Sequence, residues 1–470
     1  MPTALVRNGR VVTASESYDA DLYVDGGRIA LVGQGLSLPA DTVLDASGCL
    51  VLPGGIDAHT HLDMPAGELT SADDFETGTR AAAFGGTTTV IDFATPEPGQ
   101  SLLAALDTWR RKAEGKAAVD YGFHMALRGV GDTTLAEMAR LTRDEGVVSF
   151  KLYLAYPGVL QVDDAAFFRA LLGARECGAL PLVHAENGGV IDVLVKQALA
   201  RGETAPRYHA VTRPAETEAE ATARAISMAT LAGAPLYVVH LTCGAALAHV
   251  TAARDRGLPV FAETCPQYLF LSAADYDRPG FEGAQYVMSP PLRAAADQEA
   301  LWRGLTGGDL QVVATDHCPF TLADKARGRD DFSKIPNGAP GIETRMMLLW
   351  DGGVRAGRID APRFVELTAA APARLFGLWP RKGTIAVGSD ADLVLWDPER
   401  ETRLSAETLH MRVDYSPYEG RVVRGGPVAV MSRGEVIVDH GEWKGLPGRG
   451  QFLKRAHGTA HPSEPAGPIA

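Results

Sequence analysis

The chain has 470 residues, with 45 Lys and Arg against 58 Asp and Glu, for a formal net charge of −13. Hydrophobic residues make up 46% and charged residues 22%, enough apolar material for a large core and too much for a disordered chain. The acidic balance, without any Lys/Arg run, makes nucleic acid and anionic membrane surfaces poor partners.

Residues 3–14, 20–33 and 42–52 alternate apolar and polar, with Asn8-Gly9 and Asp25-Gly26-Gly27 as turns, a pattern expected of antiparallel hairpins. The opening segment has no basic stretch ahead of an apolar run, so no secretory signal is expected. Five scattered cysteines without a Cys-x-x-Cys read as reduced thiols of a cytoplasmic protein. The middle of the chain carries eight short apolar runs, at 55–60, 88–92, 121–126, 149–153, 181–184, 236–240, 259–262 and 311–315. Helix-length segments such as 102–114, 164–176, 216–231 and 244–256 separate most of them. Alternating strands and helices predict parallel strands with right-handed crossovers, and eight of them suggest a closed (β/α)8 TIM-like barrel. No Gly-x-Gly-x-x-Gly follows the first strand, which removes the main reason to prefer an open doubly wound sheet. Residues 225–253 contain no Asp, Glu, Lys or Arg, but Gly233-Ala234-Pro235 interrupts them, so a buried helix, turn and strand are expected there.

Residues 383–397 and 420–440 again alternate, with Gly425-Gly426 and Arg433-Gly434 as turns. The expected organisation is a small β-sandwich built from 1–53 and 378–446, a barrel over 54–377, and a polar tail or intersubunit arm over 447–470.

On such a barrel the strand ends converge on one mouth, where active sites sit. His59 and His61 close the first strand, and side chains at i and i+2 share a face, so both imidazoles can address one ion. Lys151 lies in the fourth strand, His184 ends the fifth, His240 ends the sixth and Asp316 ends the eighth. Each alone is weak, since a lone His is more often a satisfied polar residue, as expected for His124, His249 and His317. Together they point to a metal site. Lys151 is the odd member, because two divalent ions, one aspartate, one hydroxide and an ammonium leave a large uncompensated positive charge. Reaction of the amine with CO2 to a carbamate removes most of it and provides a bridging anion; burial favours the neutral, nucleophilic amine.

The segment Pro53-Gly54-Gly55-Ile56-Asp57-Ala58-His59-Thr60-His61-Leu62-Asp63-Met64-Pro65 resembles the signature of cyclic amidohydrolases, in their dihydropyrimidinase/hydantoinase branch. So do Phe150-Lys151-Leu152-Tyr153-Leu154-Ala155-Tyr156, Val183-His184-Ala185-Glu186, Met288-Ser289-Pro290-Pro291 and Ile335-Pro336-Asn337-Gly338. The resemblance covers nearly the whole chain. It implies two divalent ions, usually zinc, bridged by N6-carboxylated Lys151. His59, His61, Lys151 and Asp316 then hold one ion, and Lys151, His184 and His240 the other. It also implies substrate binding by Tyr156, Ser289 and Asn337, and a homotetramer. One departure is Gln267, where relatives often have His.

The implied reaction opens the ring amide of dihydrouracil, dihydrothymine or 5-substituted hydantoins by attack of a bridging hydroxide. Tyr156 stabilises the oxyanion, and Asp316 carries the proton to the leaving nitrogen. Glu186 and Glu263, also at strand ends, are expected to orient the histidines. Residues 62–75, with Met64 and Leu69, form the loop expected over the ring substituent. Allantoinase and dihydroorotase share such a site and remain alternatives. The inert collapsin response mediator proteins are a third, disfavoured because all six ligand positions are filled.

Overall fold

Short apolar runs bounded by glycine, proline and polar turns form eight strands in residues 3–457, the part of the chain described by this computed structural model. They are β1 (Gly55–Thr60), β2 (Thr87–Ala94), β3 (Asp120–Ala126), β4 (Ser149–Tyr153), β5 (Leu180–His184), β6 (Leu236–Val238), β7 (Val260–Thr264) and β8 (Val312–Val313). Each pairs in parallel with the next, in chain order. Alternate residues of several strands, Ile56/Ala58, Ile91/Phe93, Leu180/Leu182, Tyr237/Val239 and Val312/Ala314, share one buried cluster, which is the packed barrel interior. Helices such as Leu102–Ala113, Asp164–Cys177 and Ala215–Ala232 fill the crossovers.

The seam between β8 and β1 has no ladder of its own. A single bridge joins Thr60 to His317, and His61 N–H donates to the His317 carbonyl at 2.9 Å. Below it, the buried Asp57 carboxylate accepts from Thr315 N (3.1 Å) and Thr315 Oγ1 (2.6 Å). Arg345, also fully buried, lies 4.0 Å from that carboxylate and donates to Val313 O and Thr87 Oγ1, both at 2.9 Å. Side chains therefore complete the closure that the backbone leaves open.

Strands from both chain ends form one hydrogen-bonded sheet of nine, joined where Leu50–Pro53 runs antiparallel to Leu393–Arg403. Three expectations change here. Residues 42–52 do not form an antiparallel hairpin, because Thr42–Asp45 and Leu50–Pro53 both lie parallel to Ala4–Val12. Asn8-Gly9 is a bulge within Ala4–Val12, with Asn8 at φ 62°, and no hairpin turn. Gly425-Gly426 lies inside Val422–Ser432; a Cβ on Gly425 would sit 2.1 Å from Trp350 Cδ1, so glycine there serves close approach. Asp25-Gly26-Gly27 and Arg433-Gly434 do connect strands.

The uncharged stretch at 225–253 spans the end of helix Ala215–Ala232, a break, β6 and most of helix Gly244–Asp255. No helix among the described residues is long and apolar enough to cross a membrane. Of the expected tail, residues 447–457 lie along the chain's own barrel, where Tyr121 exchanges backbone hydrogen bonds with Gln451 and Leu453 at 3.0 and 2.7 Å. Leu453 joins the interior cluster from the N-terminal ends of the strands. The remainder of the tail, 458–470, is outside the described residues.

Replacing Arg345 by Met is expected to cost about 3–5 kcal/mol, because it leaves the Asp57 carboxylate buried without its cation. A urea titration followed by circular dichroism measures this; a midpoint equal to wild type would show that the seam does not need the pair.

Candidate metal centre

The first strand delivers its two imidazoles through a local irregularity. Asp57 faces Val90 and Thr60 faces Asp92, so three steps along β1 match two along β2. The extra residue reverses the alternation of faces. Ile56 and Ala58 point into the interior cluster, and His59 and His61 then turn to the same side above it, 4.5 and 5.0 Å from the Phe93 ring. The turn is fixed by Asp92, which accepts from Thr60 Oγ1 and Leu62 N, both at 2.8 Å. Burial raises the pKa of this carboxyl to about 7.

Asp316 Oδ1 lies 3.1 Å from His59 Nε2 and 3.2 Å from His61 Nε2, and one atom from each of the three falls within 4.8 Å of the others. Next to them, His184 Nδ1 lies 2.9 Å from His240 Nε2, with the His59 and His240 rings 5.3 Å apart. Lys151 projects into the same cavity, its Nζ 4.6 Å from the Phe93 ring and bound to no protein acceptor among the described residues. All six sequence-predicted ligands therefore meet at one end of the barrel. His240 and Asp316 do so at φ 38° and 52°, sparsely populated conformations for residues with a side chain.

Protonation suits a cation. Glu263 accepts from His59 Nδ1, and Glu186 Oε2 from His184 Nε2 at 2.8 Å, which leaves the lone pairs on His59 Nε2 and His184 Nδ1, the atoms facing Asp316 and His240. Glu263 is itself fixed by the Tyr237 hydroxyl at 2.8 Å and by His240 N at 3.2 Å. Burial brings His61 down to about 4 and pushes His240 below its ordinary value, so both are neutral imidazoles. Burial works against the charged form of Asp316, but His59, His61 and His240 more than offset it and hold the carboxyl well below its ordinary range. Burial lowers Lys151 to about 8. Burial works against the charged form of His59, but the Glu263 and Asp316 carboxylates more than offset it and raise its pKa, so an ion at that nitrogen displaces a proton. The imidazoles, an ionised carboxylate and an unpaired amine in a buried pocket form a donor set suited to divalent ions.

The cavity above has a volume of about 680 Å³. Tyr156, Ser289 and Asn337 line it, as do Met64 and Leu69 of the predicted substrate loop, where Pro65–Ala66 and Leu69–Thr70 form a small hairpin. The Tyr156 ring lies 5.3 Å from His184, and the Ser289 hydroxyl lies 3.4 Å from His209 Nε2. Burial pushes the Tyr156 phenol up, which keeps it a donor. Val159, Leu160 and Phe320 add an apolar wall that sequence reasoning missed, because loop residues show no periodicity.

The three histidines set aside in the sequence take no part in the centre. His124 bonds Ser149 Oγ (2.6 Å) and the Ala58 carbonyl (3.0 Å), His317 bonds Asp73 (3.1 Å), and His249 is exposed on its helix. Gln267, the one departure, donates to the Thr315 carbonyl at 3.0 Å beside Asp316.

A barrel with this donor set at the mouth defines a metal-dependent hydrolase class. Residues 50–437 match the amidohydrolase family, and the chain belongs to it. It is similar to the D-hydantoinase of Streptomyces coelicolor, at 55% identity over 458 residues, 96% of this chain and 98% of that one. Similarity to the D-hydantoinase of Geobacillus stearothermophilus is 52% over 455 residues, 97% of each. The crystal structure of dihydropyrimidinase from Brevibacillus agri matches with a TM-score of 0.96 at 50% identity, covering 97% of this chain and 99% of that one. The family implies a binuclear divalent site.

Glu263→Gln keeps the shape but weakens the hold on His59, so metal affinity should fall about 10–100-fold. Metal content after dialysis against graded chelator measures it, and retention equal to wild type would exclude an orienting role.

Proposed function

We propose that the protein hydrolyses the ring amide of cyclic diamides, 5-substituted hydantoins and 5,6-dihydropyrimidines, to N-carbamoyl amino acids. The observation that carries this reading is the meeting of His59, His61, Lys151, His184, His240 and Asp316 below a cavity walled by Tyr156, Ser289 and Asn337. In it, His59, His61 and Asp316 would hold one divalent ion and His184 and His240 another, with Lys151, as its carbamate, a further ligand; zinc is the expected metal. Ions so held supply a water of lowered pKa and polarise the scissile carbonyl.

The chain's own residues do the rest. Ser289 and Asn337 hold the imide edge, which places one ring carbonyl over the site. The protonated Tyr156 hydroxyl donates to that carbonyl oxygen as negative charge develops. Asp316, ionised, accepts a proton at its carboxylate and returns it to the departing ring nitrogen. Glu263 and Glu186 keep His59 and His184 in one tautomer throughout. The apolar wall of Met64, Leu69, Val159, Leu160 and Phe320 favours a hydrophobic 5-substituent over the polar groups of allantoin or dihydroorotate. We also infer a homotetramer, on the resemblance to the cyclic amidohydrolases; light scattering tests it.

The decisive experiment compares kcat/KM for a 5-aryl hydantoin, hydantoin, dihydrouracil, allantoin and dihydroorotate with zinc and bicarbonate supplied. The 5-aryl hydantoin is expected to lead, and chelation to abolish turnover. Allantoin or dihydroorotate leading would reject the substrate assignment, and no turnover by metal-loaded protein would reject catalysis. Lys151→Ala is expected to lose at least about 10³-fold in kcat and to recover part of it with added short-chain carboxylate. No recovery at any concentration would count against a bridging carbamate.

A further inference from the structure

Behind the wall formed by Ser289 and Asn337 lies a buried ammonium that the mechanism above does not use. Lys325 ends the short helix Leu322–Lys325, is 0% exposed, and forms no ion pair among the described residues. Its Nζ donates to three main-chain carbonyls, Val287 at 2.8 Å, Pro336 at 2.9 Å and Gly338 at 2.7 Å. Three acceptors use all three N–H bonds of an ammonium, whereas a neutral amine has only two to give. The carbonyls therefore hold the charged form, against burial that lowers the pKa to about 7.

The acceptors belong to segments almost fifty residues apart. One runs from Val287 into Ser289, and the other brackets Asn337 between two bound carbonyls. Gly338 N–H also donates to Val287 O at 3.0 Å, which ties the segments to each other. Gly338 stands at φ 143°, and a Cβ there would lie 2.1 Å from the Cys318 carbonyl oxygen, so the loop has little room to shift. Asn337 itself lines the cavity, and its backbone N–H and side chain have no partner among the described residues. That N–H shares a peptide unit with the Pro336 carbonyl. A cation bonded to the carbonyl draws electron density from the unit and makes its N–H a stronger donor.

We infer that Lys325 is a positioning residue which clamps the Ser289 and Asn337 loops together and strengthens the Asn337 N–H as donor to a ring carbonyl of bound substrate. This rests on the cyclic amidohydrolase reading. Lys325→Met removes the charge and all three donors without touching the metal ligands. In full-length, metal-loaded protein its KM for the best ring substrate is expected to rise about tenfold or more, with kcat within about threefold and bound metal unchanged. A KM within twofold of wild type would overturn the inference, as would a raised KM accompanied by collapse of kcat and metal content. Should the methionine variant not fold, Lys325→Gln, with two N–H donors and no charge, carries the same expectation; failure of both to fold would mean that the lysine serves the fold alone, and overturns the proposal. A wild-type chain inert on every cyclic amide removes the underlying reading, whereas an active wild type matched by Lys325→Met removes only the clamp.

Discussion

The candidate centre depends on one seam. His59 comes from β1, His61 from just beyond it and Asp316 from just beyond β8, the two ends of the parallel sheet, so these residues meet only where the sheet closes on itself. That closure rests on a buried carboxylate, Asp57, which ties Thr315 to β1 with Arg345 as its counter-charge. Buried ion pairs contribute little net stability compared with apolar packing, but they specify register strongly. Here the register decides whether two imidazoles and a carboxylate share 4.8 Å of space.

Above the seam, charge is arranged in layers. Glu186 and Glu263 stand behind the imidazoles, the imidazoles and Asp316 face the cavity, and Lys151 enters with no acid paired to it. On the far side Lys325 neutralises carbonyl dipoles instead of a carboxylate. Negative charge thus lies behind the ligands and positive charge behind the substrate loops. Such fixed dipoles and charges need no reorganisation when a reaction begins, the condition under which electrostatics lowers barriers most.

Much of this was legible in the sequence, and the exceptions have physical causes. The eight barrel strands were visible because each is buried on both faces and reads as a short apolar run. Five of the six candidate ligands followed from where those runs end, and Lys151 from its place within one. Partner direction was not visible, because alternation encodes a buried face and says nothing of whether Thr42–Asp45 lies parallel or antiparallel to Ala4–Val12. Gly425-Gly426 misled because one dipeptide serves both a tight turn and a close approach, and Trp350, which demands the approach, is remote in sequence. Asp57, Arg345 and Lys325 went unnoticed since a buried charge looks like a surface charge until the fold surrounds it.

The nine-strand sheet has a consequence for biosynthesis. Leu50–Pro53 leads directly into the strand bearing His59, yet its antiparallel partner, Leu393–Arg403, is about 340 residues downstream. At ~5–20 residues per second the ribosome takes roughly 20–70 s to make that partner, and through this interval one side of an apolar strand remains an open hydrogen-bonding edge. The strap at 448–457 that covers the other end of the barrel emerges later still. Nascent chains on crowded polysomes therefore carry a shared aggregation hazard that the finished molecule no longer displays, and emergence of Leu393–Arg403 is the event that retires it.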